Sequence, residues 1–205
     1  MGNGTPPNRV ELLRKLEAEA LNCRRCGLHL GRKKVVFGSG SPNPKLVMVG
    51  EAPGVNEDLQ GLPFVGAAGK FLDSLLESIG LHRSEVYITN TIKCRPPGNR
   101  TPSPEEIEAC RPFLEKQMKI LMPKLVVALG RTAATTLLGK GVNITSEHGR
   151  FIGCKFGGTS FRLFLTYHPA AALYSARNRS KLQEDFSKLG EIVRTSSLER
   201  DPPQP

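Results

Sequence analysis

Two side chains capable of acid–base chemistry directly follow apolar, strand-like runs. Glu51 comes after the run at residues 46–49, and His168 comes after the run at residues 161–166. A carboxylate in such a place can hold a water molecule or stabilise a cationic transition state. An imidazole can donate a hydrogen bond to a developing oxyanion. The alternatives are structural, because Glu51 can also cap a helix or face solvent and His168 can bond a nearby carbonyl.

Two further residues have the chemistry to recognise a planar base. Asn90 ends the apolar run at residues 86–89, and its amide offers both a donor and an acceptor to a pyrimidine edge. Phe64 lies in the Gly- and Pro-rich segment 61–66, where an aromatic ring can stack on a base turned out of a helix. Their structural alternatives are a strand-end turn for Asn90 and a core anchor for Phe64. The other three histidines lack a strand-end context, and we expect them at the surface: His29, His82 and His148.

Four cysteines form two pairs with the chemistry of metal ligands. Cys23 and Cys26 are separated by two residues, whereas Cys94 and Cys110 form a wider pair. Four thiolates suit either zinc or a four-iron cluster, and the spacing does not choose between them. Two pairs of reduced, unliganded cysteines are the alternative. The fifth cysteine, Cys154, is expected to be a buried structural thiol.

The charge balance favours a polyanionic partner. Lys and Arg number 29 against 19 Asp and Glu, a net charge of +10, and each cation placed at a phosphate releases condensed counterions. Within the rigid, Pro-rich loop at residues 94–104, Arg95 and Arg100 are candidates for phosphate contacts. The alternative is a protein that is merely basic. No run approaches the ~20 apolar residues of a membrane helix, and the first eight residues lack the apolar core of a signal peptide. We therefore expect an intracellular protein, cytoplasmic or nucleoid-associated.

Alternating apolar runs and helical segments must position these residues. Apolar spacing, caps and breakers predict helices at residues 10–21, 67–79, 104–121, 131–138 and 180–193. Buried-strand patterns occur at residues 46–49, 86–89, 125–128 and 161–166, with a further strand pair suggested within 142–156. The alternation predicts a three-layer α/β/α sandwich around a central, mostly parallel four-stranded sheet.

The same patterns predict one domain over residues 9–195. A flexible N-terminus is expected at residues 1–8 and a disordered, Pro-rich tail at residues 196–205. In a parallel sheet, ligands bind beyond the carboxyl ends of the strands. We therefore expect the residues that follow the four strands to converge on one edge, although they lie far apart in the sequence.

These residues together resemble a known enzyme family. Residues 50–54 (GEAPG), 57–58 (ED) and 61–69 (GLPFVGAAG) resemble motif 1 of the family 4 uracil-DNA glycosylases. Residues 89–97 (TNTIKCRPP) resemble the base-reading strand end of that family, and residues 168–173 (HPAAAL) resemble its motif 2. The resemblance runs from the first cysteine pair to about Leu173, most of the chain. It is specific, because several separate motifs agree.

The resemblance implies a DNA-repair hydrolase that flips uracil out of DNA and cleaves its N-glycosidic bond. By this resemblance, Glu51 positions or activates water near C1′ of the deoxyribose, and His168 hydrogen-bonds uracil O2 as negative charge develops. Ala52 offers its backbone N–H to uracil. Phe64 stacks on the flipped base, and Asn90 binds the uracil edge and rejects cytosine.

The resemblance also implies DNA contacts and a cofactor. Glu57 matches a second acid beside the substrate, and Asn99 joins the arginines of the basic loop at the DNA backbone. Pro169 and Ala170 belong to a segment that enters the minor groove. The ligands of the family's [4Fe–4S] cluster match four cysteines in order and spacing: Cys23, Cys26, Cys94 and Cys110.

The residues argue against two related families and leave two other classes of protein open as alternatives. Family 5 enzymes lack the motif 1 acid that Glu51 supplies, and the uracil-trapping relatives carry a histidine that residues 95–104 lack. The alternatives are a non-catalytic protein that binds uracil or damaged DNA, and a zinc-stabilised nucleic-acid-binding module. The expected partner is uracil-containing DNA, single- or double-stranded, bound by a monomer. The sequence leaves a sliding-clamp partner open.

Overall fold

A computed structural model of the chain describes residues 8–194. The predicted flexible N-terminus and disordered tail lie outside these residues, apart from Asn8. That residue caps the first helix, because its side-chain oxygen accepts a hydrogen bond from the Val10 N–H at 3.2 Å. The helical part of the chain therefore begins at the end of the segment that was expected to be flexible.

The described residues alternate between helices and strands, as the sequence predicts. The α-helices are α1 (Arg9–Leu21), α2 (Val55–Gln60), α3 (Ala67–Ser78), α4 (Pro104–Leu121), α5 (Arg131–Leu138), α6 (Ile144–Glu147) and α7 (Ala176–Arg194). The strands are β1 (Ser39–Gly40), β2 (Val47–Gly50), β3 (Tyr87–Asn90), β4 (Leu125–Leu129), β5 (Arg150–Phe156) and β6 (Thr159–Thr166). Short 3-10 turns include Pro97–Asn99 and Pro169–Ala172. The five predicted helices are present, and α2 and α6 are additional.

The sheet has six strands rather than the predicted four, in the order β1-β3-β2-β4-β6-β5. Its four central strands are mutually parallel and are the four that the sequence predicts. The two edge strands, β1 and β5, run antiparallel to their neighbours. The prediction of four strands is therefore wrong at both edges, and the sheet is mixed.

Both edge strands lack the buried pattern on which the prediction of the four central strands rested. β1 is only two residues long and contains no apolar side chain. The suggested strand pair within 142–156 is instead one short helix, α6, and one strand, β5, which is mostly half-buried. β5 pairs with β6 through a tight hairpin at Gly157 and Gly158, whose φ values of 56° and 84° favour glycine.

Helices cover both faces of the sheet and confirm the three-layer sandwich. Alternate residues of the central strands point to opposite faces, and each face buries its own apolar cluster. One cluster contains the apolar faces of α3 and α7, and the other contains those of α4 and α5. A third cluster lies between α1 and α4 and includes buried Cys94 and Cys110. No helix among residues 8–194 has the length and apolarity that a membrane crossing requires.

Candidate active site

The parallel registers bring the ends of the central strands to one edge of the sheet. Gly50 pairs with Asn90 at the ends of β2 and β3, and Leu129 pairs with Thr166 near the ends of β4 and β6. A pocket of about 370 Å³ opens at this edge. Nine predicted site residues line it: Glu51, Ala52, Glu57, Phe64, Asn90, Asn99, Arg100, His168 and Ala170. The predicted convergence of the strand ends on one edge is therefore confirmed.

Glu51 is held at both its side chain and its backbone. The Thr132 hydroxyl, from the first turn of α5, donates a short hydrogen bond to Glu51 Oε2. The Thr91 hydroxyl donates to the Glu51 main-chain oxygen at 2.5 Å. Among the described residues Glu51 Oε1 has no hydrogen-bond partner, and the side chain is half-buried. One carboxylate oxygen is therefore fixed and the other is available to a ligand or water.

Asn90 carries an unpaired acceptor at the pocket wall. Its side chain is 1% exposed, and Oδ1 has no hydrogen-bond partner among the described residues. A buried acceptor without a partner costs about 1–3 kcal/mol. Gly50 makes this arrangement possible, because a Cβ there would collide with Asn90 Oδ1 and lie 2.7 Å from Phe64 Cζ. The site therefore offers a preformed acceptor beside an aromatic ring.

Phe64 adopts a backbone conformation that its surroundings impose. Its φ of 53° lies in the left-handed region, which a bulky side chain rarely occupies. Arg83 Nη1 donates to the Phe64 carbonyl at 2.9 Å, and a Cβ on Gly69 would collide with the same carbonyl. The Phe64 ring stacks near the His168 ring, with centroids 5.5 Å apart and planes inclined by 29°.

His168 is a neutral hydrogen-bond donor at the pocket. The Ala170 N–H donates to His168 Nδ1 at 3.2 Å, so the neutral ring carries its proton on Nε2. Burial lowers the pKa of His168 to about 4, with the nearby Glu57 carboxylate acting in the opposite direction. At neutral pH the ring is therefore uncharged and can donate from Nε2.

Glu57 holds the pocket loops together. Its carboxylate accepts backbone N–H bonds from Gly54 at 3.1 Å and from Val65 and Gly66 at 2.9 Å each. The side chain lines the pocket, but these three bonds tie the loop after β2 to the loop that carries Phe64. These bonds give the Glu57 carboxylate a structural role, in addition to the predicted contact with substrate.

The predicted DNA contacts divide into residues at the pocket rim and residues away from it. Asn99 and Arg100 line the pocket, whereas Arg95 and Pro169 do not. Arg95 Nε donates to Asn99 Oδ1 at 2.7 Å. The Arg100 guanidinium forms a bidentate ion pair with Glu106, at 2.6 and 2.8 Å. The Glu106 carboxylate therefore competes with any other anion for the Arg100 guanidinium.

Sequence reasoning assigned no site role to Arg131, Thr132 or Tyr174, although it expected the residues that follow β4 at this edge. Arg131 lines the pocket at the start of α5, and Thr132 beside it binds Glu51. Their only signal in the sequence is their position directly after β4. Tyr174 follows the 3-10 turn Pro169–Ala172 and is 90% exposed. It lies one residue beyond the segment that the motif match covers.

His148 is also not the surface residue that we expected. It is half-buried, and its Nδ1 lies 2.9 Å from Oδ1 of fully buried Asp185. Its ring packs on Tyr167 at a centroid distance of 4.7 Å, and the Thr166 hydroxyl donates to Asp185 at 2.7 Å. This network supports the end of β6 from which His168 extends.

The four paired cysteines line a second, smaller pocket between α1, the 94–104 loop and α4. Arg32 Nη1 donates to Cys94 Sγ at 3.3 Å and to the Cys23 carbonyl at 2.9 Å. Burial raises the pKa of Cys110 to about 11, and the Lys93 ammonium acts in the opposite direction. Cys154, as expected, is a separate buried thiol that donates to the Leu137 carbonyl at 3.3 Å.

Four cysteines around one pocket, with Arg32 donating to one sulfur, have the donor chemistry of a group that is bound by thiolates. Four thiolates can hold either zinc or a four-iron cluster. Within residues 8–194, no three His, Cys, Asp or Glu side chains are arranged to hold a single metal ion.

Fold and pocket together define an α/β protein whose pocket, at the ends of the parallel strands, presents a carboxylate, an aromatic ring and a neutral imidazole. Residues 37–190 match the model of the uracil DNA glycosylase superfamily. The chain belongs to this superfamily, and its relatives place it with the type-4 enzymes. The first cysteine pair lies outside the matched residues.

Relatives similar to the chain cover most of its length. A type-4 uracil-DNA glycosylase of Sulfurisphaera tokodaii is 45% identical over 91% of this chain and 87% of its own. A type-4 enzyme of Archaeoglobus fulgidus is 43% identical over 89% of this chain and 94% of its own. A type-4 enzyme of Thermotoga maritima is 43% identical over 91% of this chain and 97% of its own.

Proposed function

We propose that this chain is a type-4 uracil-DNA glycosylase. It flips uracil out of DNA and hydrolyses the N-glycosidic bond, which leaves an abasic site and begins base excision repair. One observation carries the proposal beyond the family likeness: Asn90 Oδ1 is a buried acceptor without a partner, in a pocket that also presents Phe64 and His168.

Base selection follows from the amide of Asn90. Uracil presents an N3–H donor beside the O4 acceptor, so Oδ1 and Nδ2 of Asn90 can satisfy both. Cytosine presents an acceptor at N3 and a donor at position 4, which leaves Oδ1 facing a lone pair. A buried acceptor that stays unpaired discriminates strongly against the wrong base. Phe64 stacks on the flipped ring, and the Ala52 N–H binds its edge.

Bond cleavage uses Glu51 and His168 on opposite sides of the scissile bond. As the C1′–N1 bond breaks, its electron pair leaves with uracil and positive charge develops on the sugar. Glu51 stabilises that charge through its unpartnered oxygen and accepts a proton from the water that attacks C1′. His168 donates from Nε2 to uracil O2, where the negative charge accumulates. A neutral donor here requires no further protonation at pH 7.

DNA is held by the pocket rim and by the net charge of +10. Asn99, Arg100 and the loop side chain of Arg95 bind the DNA backbone. Pro169 and Ala170 approach the minor groove. Tyr174, exposed at the end of the same segment, extends this surface. We expect the enzyme to act as an intracellular monomer, with residues 9–195 forming one domain.

The cofactor that fits the second pocket is a [4Fe–4S] cluster held by Cys23, Cys26, Cys94 and Cys110. When bound, it supplies a covalent link between α1, the 94–104 loop and α4, whereas the hydrolysis itself transfers no electrons. Iron and acid-labile sulfide in the purified protein would support this assignment. Zinc in their place would support a zinc-stabilised module. Replacing Cys23 with Ser should lower folding stability, and a stable, fully active, cluster-free variant would contradict the structural role.

The activity is tested with a labelled oligonucleotide that contains one uracil, followed by alkali to break abasic sites. Wild type, Glu51→Ala and His168→Ala are compared, with a thymine oligonucleotide as the control. Cleavage confined to uracil, and sharply reduced in both variants, supports the enzyme and both roles. An iron-replete wild type that cleaves neither single- nor double-stranded substrate would refute it and favour a non-catalytic binding protein.

A further inference from the structure

Thr132 makes a contact with the Glu51 carboxylate that no motif in the sequence marks. Its hydroxyl donates to Glu51 Oε2, although the two residues lie on different strand ends and 81 positions apart. Thr132 belongs to the first turn of α5, which begins directly after β4. The contact therefore links the ends of two neighbouring parallel strands across the floor of the pocket.

The position of Thr132 is itself fixed by its helix. The Thr136 hydroxyl, one turn later, donates to the Thr132 main-chain oxygen at 2.8 Å. The β-branched side chain of threonine has few rotamers in a helix. Gly130 precedes the helix with φ of 94°, and a Cβ there would approach His168 Cβ to 3.0 Å. The segment 130–132 thus packs against His168 on one side and binds Glu51 on the other.

A carboxylate on a flexible side chain needs such a contact if it is to be held in the single orientation that the reaction requires. Rotation about the terminal torsion of Glu is broad, so a free Glu51 would sample many orientations. The hydroxyl of Thr132 occupies Oε2 and leaves Oε1 as the oxygen that faces the pocket. Misplacing a reacting group by about 1 Å can cost about 100-fold in rate.

We propose that Thr132 is a positioning residue that orients the Glu51 carboxylate toward the attacking water and the sugar. This inference rests on the proposed glycosylase activity. It assigns Thr132 no contact with DNA, and so predicts an effect on the chemical step and little effect on substrate binding.

The test compares Thr132→Val, which removes the hydroxyl at constant shape, with Thr132→Ser, which keeps it. Thr135→Val is the matched control, because it makes the same change on the same helix at a half-buried threonine whose hydroxyl has no hydrogen bond within residues 8–194. Single-turnover excision should slow about 10- to 100-fold in Thr132→Val. Thr132→Ser should recover most of that rate, and Thr135→Val should stay within about twofold of wild type. The Kd for uracil-containing DNA and the Tm should match those of the control.

A double-mutant cycle with Glu51→Gln separates positioning from a general structural effect. If Thr132 acts through the Glu51 carboxylate, adding Thr132→Val to Glu51→Gln should slow excision little further. The inference would be overturned if the two substitutions slowed excision independently, so that their fold-effects multiplied in the double variant. It would also be overturned if Thr132→Val excised uracil as fast as wild type. A wild type without glycosylase activity would instead overturn the proposed function, so the two failures are distinguishable.

Discussion

Lowering the pH from 7 to 5 should destabilise this protein through His168. Burial holds the pKa of His168 at about 4 in the folded chain, against an ordinary value of 6.5. Between these two values the unfolded chain binds a proton that the folded chain does not. The free energy of unfolding therefore falls as the pH decreases through this window, and is unaffected by His168 well above pH 6.5.

The two pKa values fix the size of the effect. The difference between the folded and unfolded pKa values of His168 lowers the free energy of unfolding by about 2 kcal/mol between pH 7 and pH 5. The ring keeps some exposure at the pocket, so about 2 kcal/mol is an upper value. Other groups titrate over the same range, and the wild-type protein alone therefore does not isolate the contribution of His168.

Urea unfolding of wild type and His168→Gln at both pH values isolates this contribution. Gln does not titrate, so the variant should lose up to about 2 kcal/mol less stability than wild type on acidification. Acid effects on other side chains and on the cysteine site are common to both proteins and cancel in the comparison. Equal losses in the two proteins would show that His168 is not held neutral by burial.

Three further predictions concern the supports of the two sites. Gly69→Ala should displace Phe64, because the added Cβ collides with its carbonyl, and urea unfolding should show a loss of about 1–3 kcal/mol. Glu106→Gln should release Arg100 from its ion pair and tighten DNA binding at a fixed salt concentration by up to about fivefold, measured by fluorescence titration, because an exposed ion pair is worth about 0.2–1 kcal/mol. Arg32→Gln removes the donor to Cys94 Sγ, and the absorbance of the bound cluster should decay faster in chelator than that of wild type.

Each of these variants has a control or a contrary outcome. Gly141→Ala adds a Cβ with no atom within 4 Å, so a loss as large as that of Gly69→Ala would contradict the collision. An unchanged Kd in Glu106→Gln would show that Arg100 does not reach phosphate. Arg24→Gln changes an exposed arginine beside the same cysteines, and equal cluster decay in both arginine variants would remove any specific role of Arg32.

The elements of this fold that could be predicted from the sequence are those with a clear pattern of buried apolar side chains or with a cap. The four central strands are continuous apolar runs covered on both faces, and α4 carries a Ser103 cap and a first-turn proline, so its bounds match. The edge strands have one open side and no such pattern. α2 is short and is held by Glu57, through bonds that only the folded loops create. Its existence could not be derived from local propensity.

The same distinction applies to the candidate site: residues at the ends of buried strands could be predicted, and the contacts that orient them could not. Glu51, Asn90 and His168 were predictable because strand ends meet at one edge of a parallel sheet. The partners that orient them were not, because a contact such as that of Thr132 depends on the register between β2 and β4. The partly buried state of His148 likewise depends on Asp185, which lies on a helix far along the chain.

The site residues lie far apart in the sequence, and this affects when the site can form in a newly synthesised chain. Glu51 and Phe64 emerge early in synthesis, but the strand end that presents His168 joins the sheet only through β6, near the end of the chain. Parallel pairings of this kind close long loops and form slowly. A partly synthesised or partly folded molecule therefore lacks the imidazole that the proposed reaction uses to donate a hydrogen bond to the departing base. The proposed excision thus requires a sheet that β6 has already joined.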